Sequence, residues 1–557
     1  MRVLIVGGYG IFGGRLVRLL ADDARLTILV AGRSREKAQA FCAGVSTQAT
    51  LAPTAFDRAG DVRQQVAALK PDIIVDASGP FQIYGHDPYA LVEACLAQRA
   101  HYIDLADDPS FVDGIARYDA QARGAGIAIL SGVSTTPVLT TAVMRRLAQG
   151  ITPRTITAGI APSPFSEIGL SVVRGIASYA GKRLRIRRDG RDTNATALVD
   201  SRRFTIAPPG YNPLPRIRFS LVDTPDRIFV LRLWPALEFA WLGAGPRPAL
   251  WHRALSTLAL LHRLWLFPPL TPFAGLFHAV ITRLRWGDHR GGMFVEVEGE
   301  TATGETVARS WHMIAEGDDG PFIPSMPAAA IIGKLLAGEA PRPGARACLD
   351  DLELEDYEHL FARFRIVTGR RECRSTGAML PLYRRILGEA WDRFPEPIRA
   401  MHDGTGTWIA EGRANINRGR NPLARLVGFI IGFPKAGNDV PVSVRFEAKG
   451  GRETWTRDFA GKRFSSLQYE GRGANEALAC ERFGPVTIAM ALVQNGDRMR
   501  LVSRRCSVFG IPLPKFLHPR GDIHESADDS RFNFHVEIGF PWTGLIVRYR
   551  GWLMRRN

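Results

Sequence analysis

Residues 2–13 read Arg2-Val3-Leu4-Ile5-Val6-Gly7-Gly8-Tyr9-Gly10-Ile11-Phe12-Gly13. The apolar run Val3–Val6 is the length of one buried strand, and the glycines follow it directly. A helical pattern, Arg15–Ala21, comes next. Glycines at 8, 10 and 13 make a G-x-G-x-x-G, and those at 7, 10 and 13 a G-x-x-G-x-x-G. Between a strand and a helix, such spacing lets the chain turn tightly and brings bare backbone up to a pyrophosphate at the helix N-terminus. Gly7, Gly8, Gly10, Ile11, Phe12 and Gly13 are the candidate cofactor contacts.

The second apolar run ends Ala31-Gly32-Arg33-Ser34. A site for NAD places a carboxylate there to accept from the ribose hydroxyls. Arg33 stands in its place, with Ser34, Arg35 and Lys37 close by, and a guanidinium forks onto a 2′-phosphate that a carboxylate would repel. The expected cofactor is therefore NADP(H). Asp57, past a third strand, is placed either to accept from the adenine amino group or to hold a turn. The fourth strand, Ile73–Ala77, stops at Ser78-Gly79-Pro80, at the carboxyl edge where ligands lie in such sheets, so these three join the cofactor set.

Further strands are expected at Leu26–Ala31, Leu51–Phe56, Tyr102–Leu105 and Ile127–Leu130. With the helical patterns between them, these define a parallel α/β sheet of Rossmann type over residues 1–148. Pro53 weakens the third strand. Residues 149–370 read as an α+β substrate domain, with strands at Arg216–Val222, Arg227–Leu233, Met293–Glu298 and Ser310–Ala315. Inside it lies an apolar segment, 250–282, in which Pro268, Pro269 and Pro272 interrupt any helix long enough to span a bilayer. It suits a substrate wall, or a face resting on anionic lipid with Leu264, Trp265 and Phe267 turned inward. From 376 to 557, a helix at Leu380–Glu389 precedes short strands separated by glycine, at Val440–Ala448, Glu453–Phe459, Val486–Val493, Arg498–Ser503, Arg531–Ile538 and Leu545–Arg550, a β-rich domain. There Trp455, Arg457, Arg482 and Arg548 either receive an anionic head group or pair with Glu453, Asp458 and Glu481.

Beyond the glycine loop, Ser78-Gly79-Pro80-Phe81, Tyr84-Gly85, Glu93-Ala94-Cys95 and His101-Tyr102-Ile103-Asp104-Leu105 resemble the saccharopine dehydrogenase-like NADP-binding superfamily. The resemblance continues thinly at Gly317-Asp318-Asp319-Gly320-Pro321. Where many relatives carry Gly-Glu after the Tyr-Ile-Asp strand, this chain has Ala106-Asp107-Asp108, and the basic substrate residues of saccharopine-forming enzymes have no counterpart, which argues against saccharopine. The branch it resembles more contains oxidoreductases and trans-acting enoyl reductases of lipid-like or polyketide chains. The resemblance implies an NADPH-dependent reduction of an apolar carbonyl- or alkene-bearing substrate; a non-catalytic NADP- and lipid-binding protein is the alternative. Stretches such as Glu453-Thr454-Trp455-Thr456-Arg457-Asp458-Phe459 and Phe509-Gly510-Ile511-Pro512-Leu513-Pro514 resemble a bacterial domain of unknown function fused behind such reductases. For the proton donor, Tyr102 as acid and Asp104 as its orienter are the candidates, packing and turn support being the other reading.

Length and charge set the remaining bounds. The 557 residues call for several domains, and 46% hydrophobic with 23% charged residues is ordinary globular composition. Net charge is +17, and residues from 375 onward carry 28 basic against 18 acidic side chains. This favours anionic partners, and a peripheral contact with an anionic membrane is compatible with it. Arginines spread along the chain, without a basic run interleaved with aromatics, argue against nucleic acid. The six cysteines form no C-x-x-C and no zinc spacing, so no metal and no disulfide are expected. The start lacks the pattern of a signal peptide, so the expectation is a cytoplasmic protein, peripheral at most to the inner membrane face, with a homodimer as a compatible assembly.

Overall fold

The computed structural model describes every residue except Ile83, Asp318, 376–378, Asp529 and Asn557. The expectation placed on Asp318 and the expected domain start at 376 thus fall outside the described residues. The chain divides into two compact units. One comprises Met1–Arg202, Arg218–Ser310 and Ile314–Ile366; the other comprises Arg203–Ile217, Trp311–Met313 and Val367–Asn557.

In the first unit the chain runs β1 (Arg2–Val6), α1 (Ile11–Leu20), β2 (Thr27–Gly32), α2 (Arg35–Ala43), β3 (Thr50–Ala55), α3 (Val62–Leu69), β4 (Ile73–Asp76), α4 (Ala90–Gln98), β5 (His101–Asp104), α5 (Pro109–Gly114), α6 (Asp119–Ala125) and β6 (Ala128–Ser131). Together with a late strand, Gly344–Ala347, they make a seven-stranded parallel sheet in the order (344–347)-β6-β5-β4-β1-β2-β3. The order reverses between β1 and β4, and that switch point opens a crevice at the carboxyl ends of the strands. Central strands bury every residue of Val3–Val6 and Ile73–Asp76 because helices cover both faces. Pro53 does not end its strand: β3 is the sheet edge, and its ladder needs hydrogen bonds from one side only.

After α7 (Thr140–Ala148) and β7 (Thr152–Ala161) comes α8 (Leu170–Tyr179). A hairpin of β8 (Arg183–Arg188) and β9 (Arg191–Thr196), then β10 (Ser201–Ile206) and β11 (Leu214–Leu221), lead to α9 (Asp226–Leu233) and β12 (Phe239–Ala244). The strand expected at Arg227–Leu233 is this helix α9. Pro225 and Asp226 open its first turn, and Phe229 and Val230 are its buried side, so the apolar run has helical, not alternating, burial. The apolar segment splits into α10 (Ala249–Arg263) and α11 (Ala274–Arg283) around a proline-containing turn. β13 (Gly291–Glu300) and β14 (Thr306–Ala315) follow. β7 sits between a parallel β12 and an antiparallel β13, the centre of a mixed sheet. Among the described residues no helix is long and apolar enough to cross a membrane.

The second unit is dominated by an antiparallel barrel. Two short helices, α12 (Leu382–Leu387) and α13 (Glu396–His402), precede β15 (Thr407–Arg418), α14 (Pro422–Ile431), β16 (Gly437–Lys449), β17 (Arg452–Phe459), β18 (Lys462–Glu470), β19 (Ala479–Phe483), β20 (Val486–Asn495), β21 (Arg498–Val508), β22 (Ile511–Pro512), β23 (Ile523–Asp528), β24 (Arg531–Phe540) and β25 (Gly544–Arg555). Strand order is β20-β19-β18-β17-β16-β15-β25-β24-β23-β21, and pairing of β20 with β21 closes the ring, leaving β22 as a tag on β21. Where β15 crosses β25, Gly412 is required: a Cβ there would lie 1.8 Å from the Trp552 carbonyl oxygen.

The barrel interior is aromatic, with Trp408, Phe446, Trp455, Phe532 and Tyr549, and is entered by Tyr383 and Ile386 of α12 and Met401 and His402 of α13. Two of its buried carboxylates have basic partners inside. Arg457 donates to Glu481 at 2.9 Å, Ser466 Oγ donates to the same carboxylate at 2.6 Å, and His402 Nε2 lies 2.7 Å from Glu525 Oε2. Arg457 is thereby committed to Glu481, and Arg548 pairs with Glu537 at 2.6 Å at the partly exposed strand surface.

Candidate functional site

The glycine loop is tied down by its own backbone. Gly7 and Gly8 N–H both donate to the Ala31 carbonyl at 2.9 Å, and Gly10 N–H donates to Gly7 O at 2.8 Å. Gly7 takes φ +80°, and a Cβ on it would press on Ala77 O at 2.9 Å. A Cβ on Gly13 would lie 2.2 Å from Gly7 O, so only glycine lets α1 start this close to the turn. Gly10 caps α1 without a side chain, and no acid lies in the first turn. The N–H groups there and the positive end of the helix thus face the crevice, as a pyrophosphate requires. Ile11 and Phe12 are half-buried beside it, and the Phe12 carbonyl accepts from Ser325 Oγ at 2.9 Å.

At the end of β2, Arg33 is exposed, and among the described residues it has no ion pair or hydrogen bond. Its guanidinium is free for a phosphate, and the residues present fit NADP(H). The Ser34 hydroxyl, by contrast, is engaged: it donates to Glu36 at 2.7 Å and accepts from Lys37 N–H as the cap of α2. Tyr9 supports this corner, its ring lying against Gly32 and its hydroxyl accepting from Ser34 N–H at 3.2 Å. Sequence reasoning missed that role, because the middle position of a glycine motif carries no rule of its own. Asp57 is exposed, with Oδ1 accepting from Ala59 N–H at 3.1 Å in a turn.

On the other side of the switch point, Ser78 Oγ donates to the fully buried Asp76 at 2.6 Å, and the Tyr84 hydroxyl donates to the same carboxylate at 2.8 Å. Arg58 Nε stands 3.6 Å from Asp76, its guanidinium over the Tyr84 ring. Burial, reinforced by the Asp76 charge, raises the Tyr84 phenol well above its ordinary range. The Ser78 hydroxyl is thus used within the protein, leaving the backbone of Ser78, Gly79 and Pro80 along the crevice.

Tyr102 is 1% exposed in the sheet core, which leaves it no access to a substrate and gives it a packing role. Asp104 is also enclosed. Its Oδ1 accepts from Gly132 N–H at 2.8 Å and Ala106 N–H at 3.0 Å, bracing two loops, and burial lifts its carboxyl to about 7. Neither motif nor spacing pointed to α8. Gly169, its cap, lies against Ile11, and Gly175 against the amide of Gln82, so α8 roofs the crevice from the glycine loop to the β4 exit. Arg15 of α1 reaches the exposed Glu167, just ahead of α8, at 3.3 Å. Gln82 in turn donates to Asp107 Oδ1 at 3.0 Å, and burial raises the Asp107 carboxyl above its ordinary range. Burial, with the charges of Asp107 and Asp223, likewise pushes the Tyr179 hydroxyl up.

With this geometry in view, residues 3–130 match the saccharopine dehydrogenase NADP binding domain. The match spans the glycine loop and the first six strands of the parallel sheet. The match gives NADP(H) as the cofactor of this domain and supports an NADP-dependent oxidoreductase. Residues 394–553 match a domain of unknown function, DUF4166. No curated protein matches the chain. Among solved structures, the apo saccharopine dehydrogenase (L-Glu forming) of Saccharomyces cerevisiae is 14% identical, with 67% of this chain and 99% of that one covered and a TM-score of 0.49. The amine dehydrogenase of Mycobacterium smegmatis is 13% identical over 63% of this chain and 96% of its own, with a TM-score of 0.31. Leucoanthocyanidin reductase of Vitis vinifera, in a binary complex with NADPH, is 21% identical over 24% of this chain and 48% of its own, with a TM-score of 0.17.

Proposed function

We propose that the chain reduces an apolar carbonyl- or alkene-bearing substrate of lipid or polyketide type. The observation that carries this reading is the roof: an apolar helix, α8, covers the cofactor crevice and brings Gln82 and Asp107 beneath it. When bound, NADPH supplies a hydride. Arg33 would hold the 2′-phosphate and the α1 N-terminus the pyrophosphate, while α8 keeps water from the reacting carbon. The reduction also takes one proton. Asp107, whose carboxyl burial keeps protonated to higher pH and whose Oδ1 is oriented by Gln82, is the group proposed to give it up.

Turnover tests the reading. Purified protein is mixed with NADPH and a panel of enoyl and keto lipids, and NADPH consumption is followed by absorbance. Consumption with an apolar substrate, and an Asp107→Asn variant slowed about 100-fold in kcat with NADPH affinity unaltered, is the expected result. Tight lipid binding with bound NADPH that is never consumed would instead make this a non-catalytic NADP- and lipid-binding protein.

A further inference from the structure

The apolar segment has two faces. Inward, Leu255, Leu258 and Ala259 of α10 and Ala274 and Phe277 of α11 pack with Phe267 and Leu270 against Val173, Ala177 and Ala180, on and just past α8. His278 fixes the arrangement by a 3.0 Å contact with the Ile168 carbonyl. Outward, three successive side chains at the tip stand in solvent: Leu264, Trp265 and Leu266 are 55%, 89% and 71% exposed. Leu264 and Trp265 thus turn opposite to the sequence expectation, while Phe267 does go inward. Leu260, Leu276, Leu284 and Trp286 extend the same exposed apolar character along the helices.

The tip is built in an unusual way. Trp265 N–H donates to His262 O at 3.0 Å and Leu266 N–H to Leu261 O at 2.9 Å, the paired bonds that end a helix with a left-handed residue. Glycine normally takes that position; here it is Trp265, at φ +62°. A bulky residue in that region is strained, by roughly 1 kcal/mol relative to glycine. The strain holds an indole clear of the protein, where it has no packing to offset it.

Charge names the occupant. From 249 to 287 there are four arginines and no carboxylate. Among the described residues, Arg253, Arg263 and Arg283 form no ion pair or hydrogen bond. Exposed indole and leucines beside Arg263, with Arg253 and Arg283 further back along the same two helices, match the boundary between headgroups and acyl chains of an anionic bilayer, where Trp is at home and guanidinium groups reach phosphate. Neither helix is long enough to span, with 15 and 10 residues. We infer that the α10–α11 hairpin is a peripheral docking tip for an anionic phospholipid bilayer, mounted on the helix that roofs the cofactor crevice. This inference does not depend on the identity of the substrate.

The test is flotation of the full-length protein with vesicles of phosphatidylcholine, with or without phosphatidylglycerol. The protein should float with the phosphatidylglycerol vesicles and be released by high salt. Trp265→Gly supplies a separation of effects: glycine suits the left-handed position, so the melting temperature should hold or rise while vesicle binding falls. With Leu266→Ser added, binding should drop at least about tenfold. Replacing Arg253, Arg263 and Arg283 together by Gln should abolish the preference for phosphatidylglycerol. Wild type that stays unbound with anionic vesicles, or a Trp265→Gly/Leu266→Ser variant that binds as wild type does, overturns the inference. So does a dimer in sedimentation that Trp265→Gly dissociates without vesicle binding in either protein, which would make the tip an interface between copies.

Discussion

The parallel sheet of residues 2–131 and the barrel of residues 407–555 handle exposed backbone and buried charge in opposite ways. The sheet stays open. At its switch point, Gly7, Gly10 and the first turn of α1 leave N–H groups facing a crevice, and Arg33 is left unpaired at the rim. The barrel closes on itself, so its backbone is spent on strand pairing, and interior charges such as Arg457 and Glu481 are spent on each other. An unpaired group at an open edge is available to a ligand; a paired group in a closed interior maintains the fold.

The largest expected effect sharpens the barrel side of this contrast. Glu481→Gln leaves the Arg457 guanidinium without its counter-charge in an aromatic interior. Removal of one partner of such a pair costs about 3–5 kcal/mol. Urea denaturation followed by intrinsic fluorescence should register the loss in the barrel transition, with NADPH affinity unaltered. A stability change under 1 kcal/mol would mean that water already screens the pair, roughly the exposed-pair value.

On the sheet side, Gly13→Ala puts a methyl where only 2.2 Å separates it from Gly7 O. The turn and helix must part, and NADPH affinity by titration should fall more than about 100-fold, near 3 kcal/mol. An affinity within tenfold of wild type would show that the loop is looser than its hydrogen bonds indicate. Arg33→Ala is the next step down. Loss of a charged contact to phosphate costs about 1.5–3 kcal/mol, to be seen for NADPH and not for NADH. Equal loss for both cofactors would remove Arg33 from the 2′-phosphate.

For Asp104 the effect lies in the pH dependence of stability. Its folded-state value of about 7 lies above the ordinary unfolded value near 3.9, so the folded protein holds this proton more tightly than the unfolded chain does. Its contribution is fully favourable below the unfolded value and is lost as pH rises towards and through the folded one. Asp104→Asn retains an acceptor for Gly132 and Ala106 N–H. Relative to wild type it should gain stability steadily as pH rises from about 4 to 7, measured as melting temperature against pH. A constant difference across that range would show that Asp104 is ionised in the fold.

How much was legible varied with the reach of the physics. Val3–Val6, the glycines and Arg33 follow one another in the chain, and their meaning depends on neighbours a few residues away, so the sheet, the loop and the NADP(H) reading came directly from sequence. Strand β15 escaped notice because the middle of its inward side, between Trp408 and Ile416, is Ala410, Gly412 and Ala414, small residues with little strand propensity at the close approach of β25. Arg227–Leu233 misled because a short apolar run reads the same as strand or helix until its packing partner is known.

The sequence by itself determined a parallel nucleotide-binding sheet, a basic rim at the end of β2 and an apolar segment too interrupted to span a bilayer. These rest on local periodicity, glycine backbone freedom and side-chain charge. Tertiary structure alone decided that Tyr102 is core and that Ser78 serves Asp76. It also decided that α8 is the roof of the crevice, that Arg457 belongs to Glu481, and that Leu264 and Trp265 face water while Phe267 does not. In each case the outcome depends on which distant residue arrives as neighbour, and burial and pairing are properties of that arrival, not of the residue.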